Sequence, residues 1–176
     1  VKNMIASASL AGIGFQFCIS LLLPVVLIID CRRKGIFSWK AFWAGAAVFI
    51  LFAQVLEGAL HAFMIDPAGP SLKMTDHPLF YALYGGLAAA LFEELGRYLI
   101  FLLLLKRSRQ FGDGVSLGIG HGGVEAVLVG AFRAVTAFIY AMMIDNGTFE
   151  TNLSVLPPKQ ISQLKTQIME TGFCRT

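Results

Sequence analysis

Glu93, Glu94 and Arg97 stand within one turn and a half of each other, and His121 and Glu125 follow about a helix later, in surroundings that are almost wholly apolar. A carboxylate can take a proton from water, a guanidinium can hold a carboxylate in place, and an imidazole can bind a metal or position a nucleophile. That set suits hydrolysis by an activated water, and it equally suits a proton relay. A further pair, Glu57 and His61, is spaced i, i+4, which stacks the two on one helical face where they can share a proton or a ligand.

Each of these groups has a plainer reading beside the chemical one. Glu57 and His61 also suit a polar clamp between helices, or contact with water near a span end. Arg97, at i+4 from Glu93 and i+3 from Glu94, can neutralise one carboxylate, and a structural pair then accounts for one acid but not for two. His121 sits in Gly118-Ile119-Gly120-His121-Gly122-Gly123, where Gly118 and Gly122 have the small-x-x-x-small spacing of membrane helix contacts. Packing explains the glycines better than it explains His121 with Glu125. Gly118, Gly120 and Gly123 also spell a dinucleotide fingerprint, but a basic loop precedes them rather than a strand, so that match is rejected. His77 reads as a solvated loop residue.

The elements that must carry these residues are set by composition. The 176 residues are 56% hydrophobic and 14% charged, and the mean hydropathy is +0.70, more apolar surface than a soluble core of this length can bury. The expected fold is all-α, a polytopic transmembrane bundle of about four spans near residues 4–29, 41–65, 79–105 and 117–144. Residues 1–145 then form a transmembrane domain, and 146–176 a polar tail whose Ile161, Leu164 and Ile168 have the spacing of a helix lying on a membrane surface. The run from Met4 to Ile29 is longer than a signal-peptide core and reads as a true span. Pro24 is expected to kink it.

Ionisable groups inside a span cost about 2.5 to 3.5 kcal/mol each, so they call for a reason. Three spans carry them: Gln54, Glu57 and His61 on the second, Glu93, Glu94 and Arg97 on the third, and His121, Glu125 and Arg133 on the fourth. The basic clusters Asp30-Cys31-Arg32-Arg33-Lys34 and Lys106-Arg107-Ser108-Arg109 flank spans and, by the positive-inside rule, face the cytoplasm, which leaves the N-terminus outside. Trp39, Trp43, Tyr81 and Tyr84 fit interfacial anchors. The net charge of +3 is spent in these clusters, so no nucleic-acid surface is expected. Cys18, Cys31 and Cys174 form no metal or redox spacing and read as structural.

Phe92-Glu93-Glu94-Leu95-Gly96-Arg97-Tyr98, followed by Gly118-Ile119-Gly120-His121-Gly122-Gly123-Val124-Glu125, resembles the YhfC family of intramembrane metalloproteases. That family is related to the CAAX-type and bacteriocin-processing membrane proteases, which carry Glu-Glu-x-x-x-Arg on one helix and a His motif on a later one. The Glu-Glu-x-x-Arg of this chain is one residue shorter, as in the YhfC form. The resemblance spans about residues 40–145 and implies a multi-pass protein of the bacterial plasma membrane that hydrolyses membrane-embedded or membrane-tethered peptides. It implies that Glu93 or Glu94 activates water, that Arg97 holds the neighbouring carboxylate, and that His121 binds metal or positions the water. Zn2+ is the implied cofactor, with His121, Glu93, and Glu125 or His61 as ligand candidates. Proteins of this kind have further helices after the His motif, so the chain reads as a shortened member. A proton- or ion-coupled transporter and a non-catalytic assembly subunit are the alternatives.

Overall fold

The apolar runs fold as helices. The structure is a computed structural model and describes residues 7–67, 69–156 and 158–168; Cys174 and Met169 lie outside them. In chain order the helices are α1 Ser7–Arg33, α2 Trp39–Val48, a π-helical segment Phe49–Glu57, α3 Gly58–Met64, α4 Pro78–Leu103, α5 Phe111–Glu125, a second π segment Ala126–Ala131, α6 Phe132–Asp145, α7 Phe149–Asn152 and α8 Pro158–Ile168. The described residues hold no β-strand, only isolated bridges that pair Leu72 with Ile65 and Thr75. The fold is all-α.

Among the described residues three helices are long and apolar enough to cross a membrane: Ser9–Arg33, Trp39–Met64 and Phe111–Asp145. This corrects the expected four. The third expected span does form, as the 26-residue α4, about 39 Å long at the usual rise, but Glu93, Glu94 and Arg97 take it out of the class by composition. The first span runs on through the basic Arg32 and Arg33, and Pro24 stands inside it without ending it. The last begins at Phe111 rather than near 117, and within its first turns the Ser116 hydroxyl donates to the Gly112 carbonyl at 2.7 Å. Large apolar side chains stand exposed along these helices, among them Phe15 at 68%, Leu87 at 69% and Phe132 at 70%, which a bilayer accommodates and water does not.

The chain divides into two compact units, Leu23–Glu125 and Val1–Leu22 with Ala126–Thr176. In the first, α2 packs closely on α5 through glycines. A Cβ at Gly45 would strike the Leu117 carbonyl, and one at Gly120 would strike the Phe42 carbonyl. Ala41, Ala44, Leu105 and Leu117 fill the space beside this contact. Ser38 ties the helix starts together, accepting from the Ala41 amide at 3.4 Å while its own amide donates to Ser116 Oγ at 2.8 Å. α4 closes on the same wall at Gly96, where a side chain would meet Val48 and Phe52.

Gly118 and Gly122, the expected packing glycines, face open space. The contact face runs through Leu117, Gly120 and His121 instead, one position away on the helix, so the small-x-x-x-small spacing marked the right helix and the wrong stripe.

In the other unit, Gly130 lets the Ser20 hydroxyl approach to 2.6 Å of a would-be Cβ, and Gln16 Nε2 donates to the Gly130 carbonyl at 3.2 Å. Ala141, Ile144, Phe149 and Ile161 form its core, with Leu164 and Ile168 packed against them. The apolar face of α8 is therefore occupied by α6 and α7 rather than presented to a membrane surface. Lys165 of α8 pairs with Glu150 of α7 at 2.7 Å.

Candidate hydrolytic site

α4 presents Glu93 and Arg97 on one face because they are a turn apart, and Gly96 between them permits the close seat against Val48 and Phe52. Arg97 Nη2 lies 2.6 Å from Glu93 Oε2 and Arg97 Nε donates to the Glu93 carbonyl at 3.2 Å, so the guanidinium grips both the side chain and the backbone of one residue. Its reach to Glu94 Oε1 is longer, 3.5 Å. The Glu94 side chain is 73% exposed against 27% for Glu93. The two acids thus divide as their adjacency on a helix requires, one inward and one outward.

His121 comes to Glu93 from α5. Its Nε2 stands 3.5 Å from Glu93 Oε2, and the residue is 5% exposed. Phe49, at the start of the first π segment, meets the imidazole edge to face with centroids 5.4 Å apart. Neither ring nitrogen of His121 makes a hydrogen bond among the described residues. The approach to Glu93 is within ion-pair range without hydrogen-bond alignment. Buried polar atoms are nearly always satisfied, so a pair of bare ring nitrogens beside a carboxylate calls for a ligand or a functional account.

Glu57 and His61 build a separate cluster. Glu57 Oε1 lies 3.2 Å from His61 Nε2, and His61 Nδ1 lies 2.9 Å from the Tyr84 hydroxyl of α4. Both ring nitrogens of His61 are engaged there. With Glu57 ionised and accepting, the proton sits on Nε2 and Tyr84 donates to Nδ1. Glu125 is exposed at the end of α5. Residue periodicity pointed to Glu57 with His61, but it cast Tyr84 as an anchor and gave no signal for Phe49 or Gly45. His77 caps α4, its Nδ1 accepting from the Leu79 amide at 3.3 Å.

The sequence pattern of the family described as YhfC intramembrane metalloprotease matches residues 19–175. The chain belongs to the YhfC family. It is 36% identical over 169 residues to the "uncharacterized membrane protein YhfC" of Bacillus subtilis (strain 168), an alignment that covers 96% of this chain and 66% of that protein. The chain thus spans just under two thirds of that YhfC relative. No solved structure matches it. Its three spanning helices and its bacterial membrane-protein relative make this YhfC member an integral, multi-pass membrane protein.

The YhfC family name implies a metal, and the donors can be tested for it. Two ligands about 2.05 Å from one tetrahedral ion stand about 3.3 Å apart, and His121 Nε2 and Glu93 Oε2 are 3.5 Å apart. That pair fits two positions of a metal site. The remaining expected ligands do not join it: among the described residues no three His, Cys, Asp or Glu side chains converge to hold an ion. His61 is taken up by Glu57 and Tyr84. The set of His121, Glu93, Glu125 and His61 does not assemble as one centre, because i, i+4 spacing pairs residues within a helix and says nothing of which helices meet.

Proposed function

We propose that the chain hydrolyses peptide bonds within the membrane at a site made by Glu93, Arg97 and His121. The observation that carries this reading is the 3.5 Å approach of His121 Nε2 to Glu93 Oε2, with both nitrogens of a buried imidazole free of hydrogen bonds among the described residues. The same Glu93 oxygen is held by Arg97, so a fixed carboxylate and an imidazole meet at one point, as activation of a water requires.

Glu93 accepts a proton from water as the water oxygen attacks the peptide carbonyl carbon, and returns that proton to the leaving amine nitrogen as the C–N bond breaks. Arg97 fixes the carboxylate in place from its own helix. His121 positions the water. The substrate is a membrane-embedded or membrane-tethered peptide, since the site belongs to a chain whose solvent is lipid. Purified protein in liposomes is expected to cleave members of a membrane-tethered peptide library, and Glu93→Ala to leave them intact. Identical behaviour of the two proteins would overturn the reading.

A second reading, proton-coupled transport, draws on the continuous chain from Glu57 through His61 to Tyr84, which has the form of a relay. It predicts proton or ion flux in liposomes that Glu57→Gln abolishes.

A further inference from the structure

Where α4 ends and α5 begins there is an open cavity of about 500 Å3, walled by Tyr98, Phe101, Leu102 and Phe111 and bordered by Arg109. Its volume is that of a small-molecule site. The wall is aromatic and aliphatic, with Phe111 79% and Tyr98 64% exposed. Arg109 and its neighbours Lys106 and Arg107 make no ion pair among the described residues. The nearby acid, Asp113, turns its Oδ2 to the Gln110 amide at 3.1 Å. The cavity therefore joins a cationic rim to a greasy wall at the foot of a membrane helix.

We infer that this cavity binds the headgroup and upper acyl chain of an anionic phospholipid. A guanidinium matches a phosphate with two parallel hydrogen bonds. Basic pockets beside membrane helices take the headgroups of acidic lipids. A free phosphate would satisfy Arg109 but leave Tyr98, Leu102 and Phe111 uncovered, whereas a lipid covers both. The inference stands apart from the Glu93 and His121 chemistry.

The test is native mass spectrometry of the full chain in detergent, titrated with phosphatidylglycerol, phosphatidylcholine and inorganic phosphate. Phosphatidylglycerol is expected to bind the wild type at least about fivefold more tightly than phosphatidylcholine, whose choline cation offsets the same phosphate beside Arg109, the attraction of one basic residue to an anionic lipid being worth about that factor. Arg109→Gln should lose that preference. Phe111→Ser, which leaves the charge alone, should also weaken phosphatidylglycerol, which simple attraction to a basic loop would not do. Both positions are exposed, so an unchanged helical spectrum and elution volume serve as the folding control. Equal binding of the two lipids, an indifferent Arg109→Gln or Phe111→Ser, or displacement of the lipid by phosphate or by an acidic peptide would each overturn the inference.

Discussion

His121 Nε2 stands 3.5 Å from Glu93 Oε2, so one carboxylate oxygen on α4 faces a buried imidazole on α5. The same oxygen is 2.6 Å from Arg97 Nη2. Glu93 is thus held from its own helix and turned toward the other, and the consequences divide between what holds it and what it faces.

Arg97→Gln removes the grip and leaves a half-buried carboxylate without its counter-charge. The expected cost is about 1 to 3 kcal/mol of stability, the range for hydrogen bonds to charged groups. Arg97→Lys, which keeps the charge but loses the forked geometry, should recover part of it. Denaturant unfolding in detergent checks both, and an unchanged midpoint for Arg97→Gln would contradict the geometry.

Gly120→Ala and Gly122→Ala differ by one methyl placed on two sides of the same helix. At Gly120 the Cβ would meet the Phe42 carbonyl, while at Gly122 nothing lies within 4 Å. Overpacking against backbone is expected to destabilise Gly120→Ala by about 1 to 3 kcal/mol or more, whereas Gly122→Ala stays near wild type. Thermal unfolding in detergent compares the two, and equal effects would contradict the packing of α2 on α5.

These glycines show how much was legible in the sequence. The membrane class, the helical spans and the pairings Glu93 with Arg97 and Glu57 with His61 follow from apolar run length and i, i+4 spacing, which are local properties. The meeting of His121 with Glu93 came only from the family resemblance and not from spacing, since which face of α5 meets which helix depends on close backbone approaches at Gly45 and Gly120. The π segments at Phe49–Glu57 and Ala126–Ala131 were also hidden, because a wider helical turn leaves the run of apolar residues unchanged. Tyr84 reads as an interfacial anchor until α3 and α4 are seen side by side. Summed hydropathy counted α4 as a span, although the charges that make the site also set it apart from the three more apolar helices among the described residues.

Because only His121 and Glu93 converge among the described residues, detergent-purified wild type is expected to carry zinc well below one equivalent per chain, with His121→Ala and His61→Ala indistinguishable from it. Elemental analysis of the three proteins decides it. Near-stoichiometric zinc in the wild type, lost in either variant, would contradict that reading of the donors.

The pairing of α8 with α7 carries a pH signature. Lys165 beside Glu150 holds that carboxyl below its ordinary range. A carboxylate with a depressed folded value contributes stability above its unfolded value, and the contribution fades as pH falls through the folded one. Both groups are accessible, so the effect is small and weakens with salt. The protection of α8 amides, each rate taken relative to its intrinsic rate at the same pH, should fall as the solution is taken into the acid range, and Glu150→Gln should remove that dependence. A wild-type profile identical to the variant would contradict the pairing.

The central claim is that Glu93 and His121 act as one hydrolytic unit. Its most direct test is the rate of tethered-peptide cleavage in liposomes by wild type, Glu93→Gln, His121→Ala and the double variant. Groups that act together lose activity together, so each single variant should fall by about a hundredfold or more and the double variant should be little worse than either. Single variants that cleave at the wild-type rate, or losses that multiply as independent sites do, would contradict it.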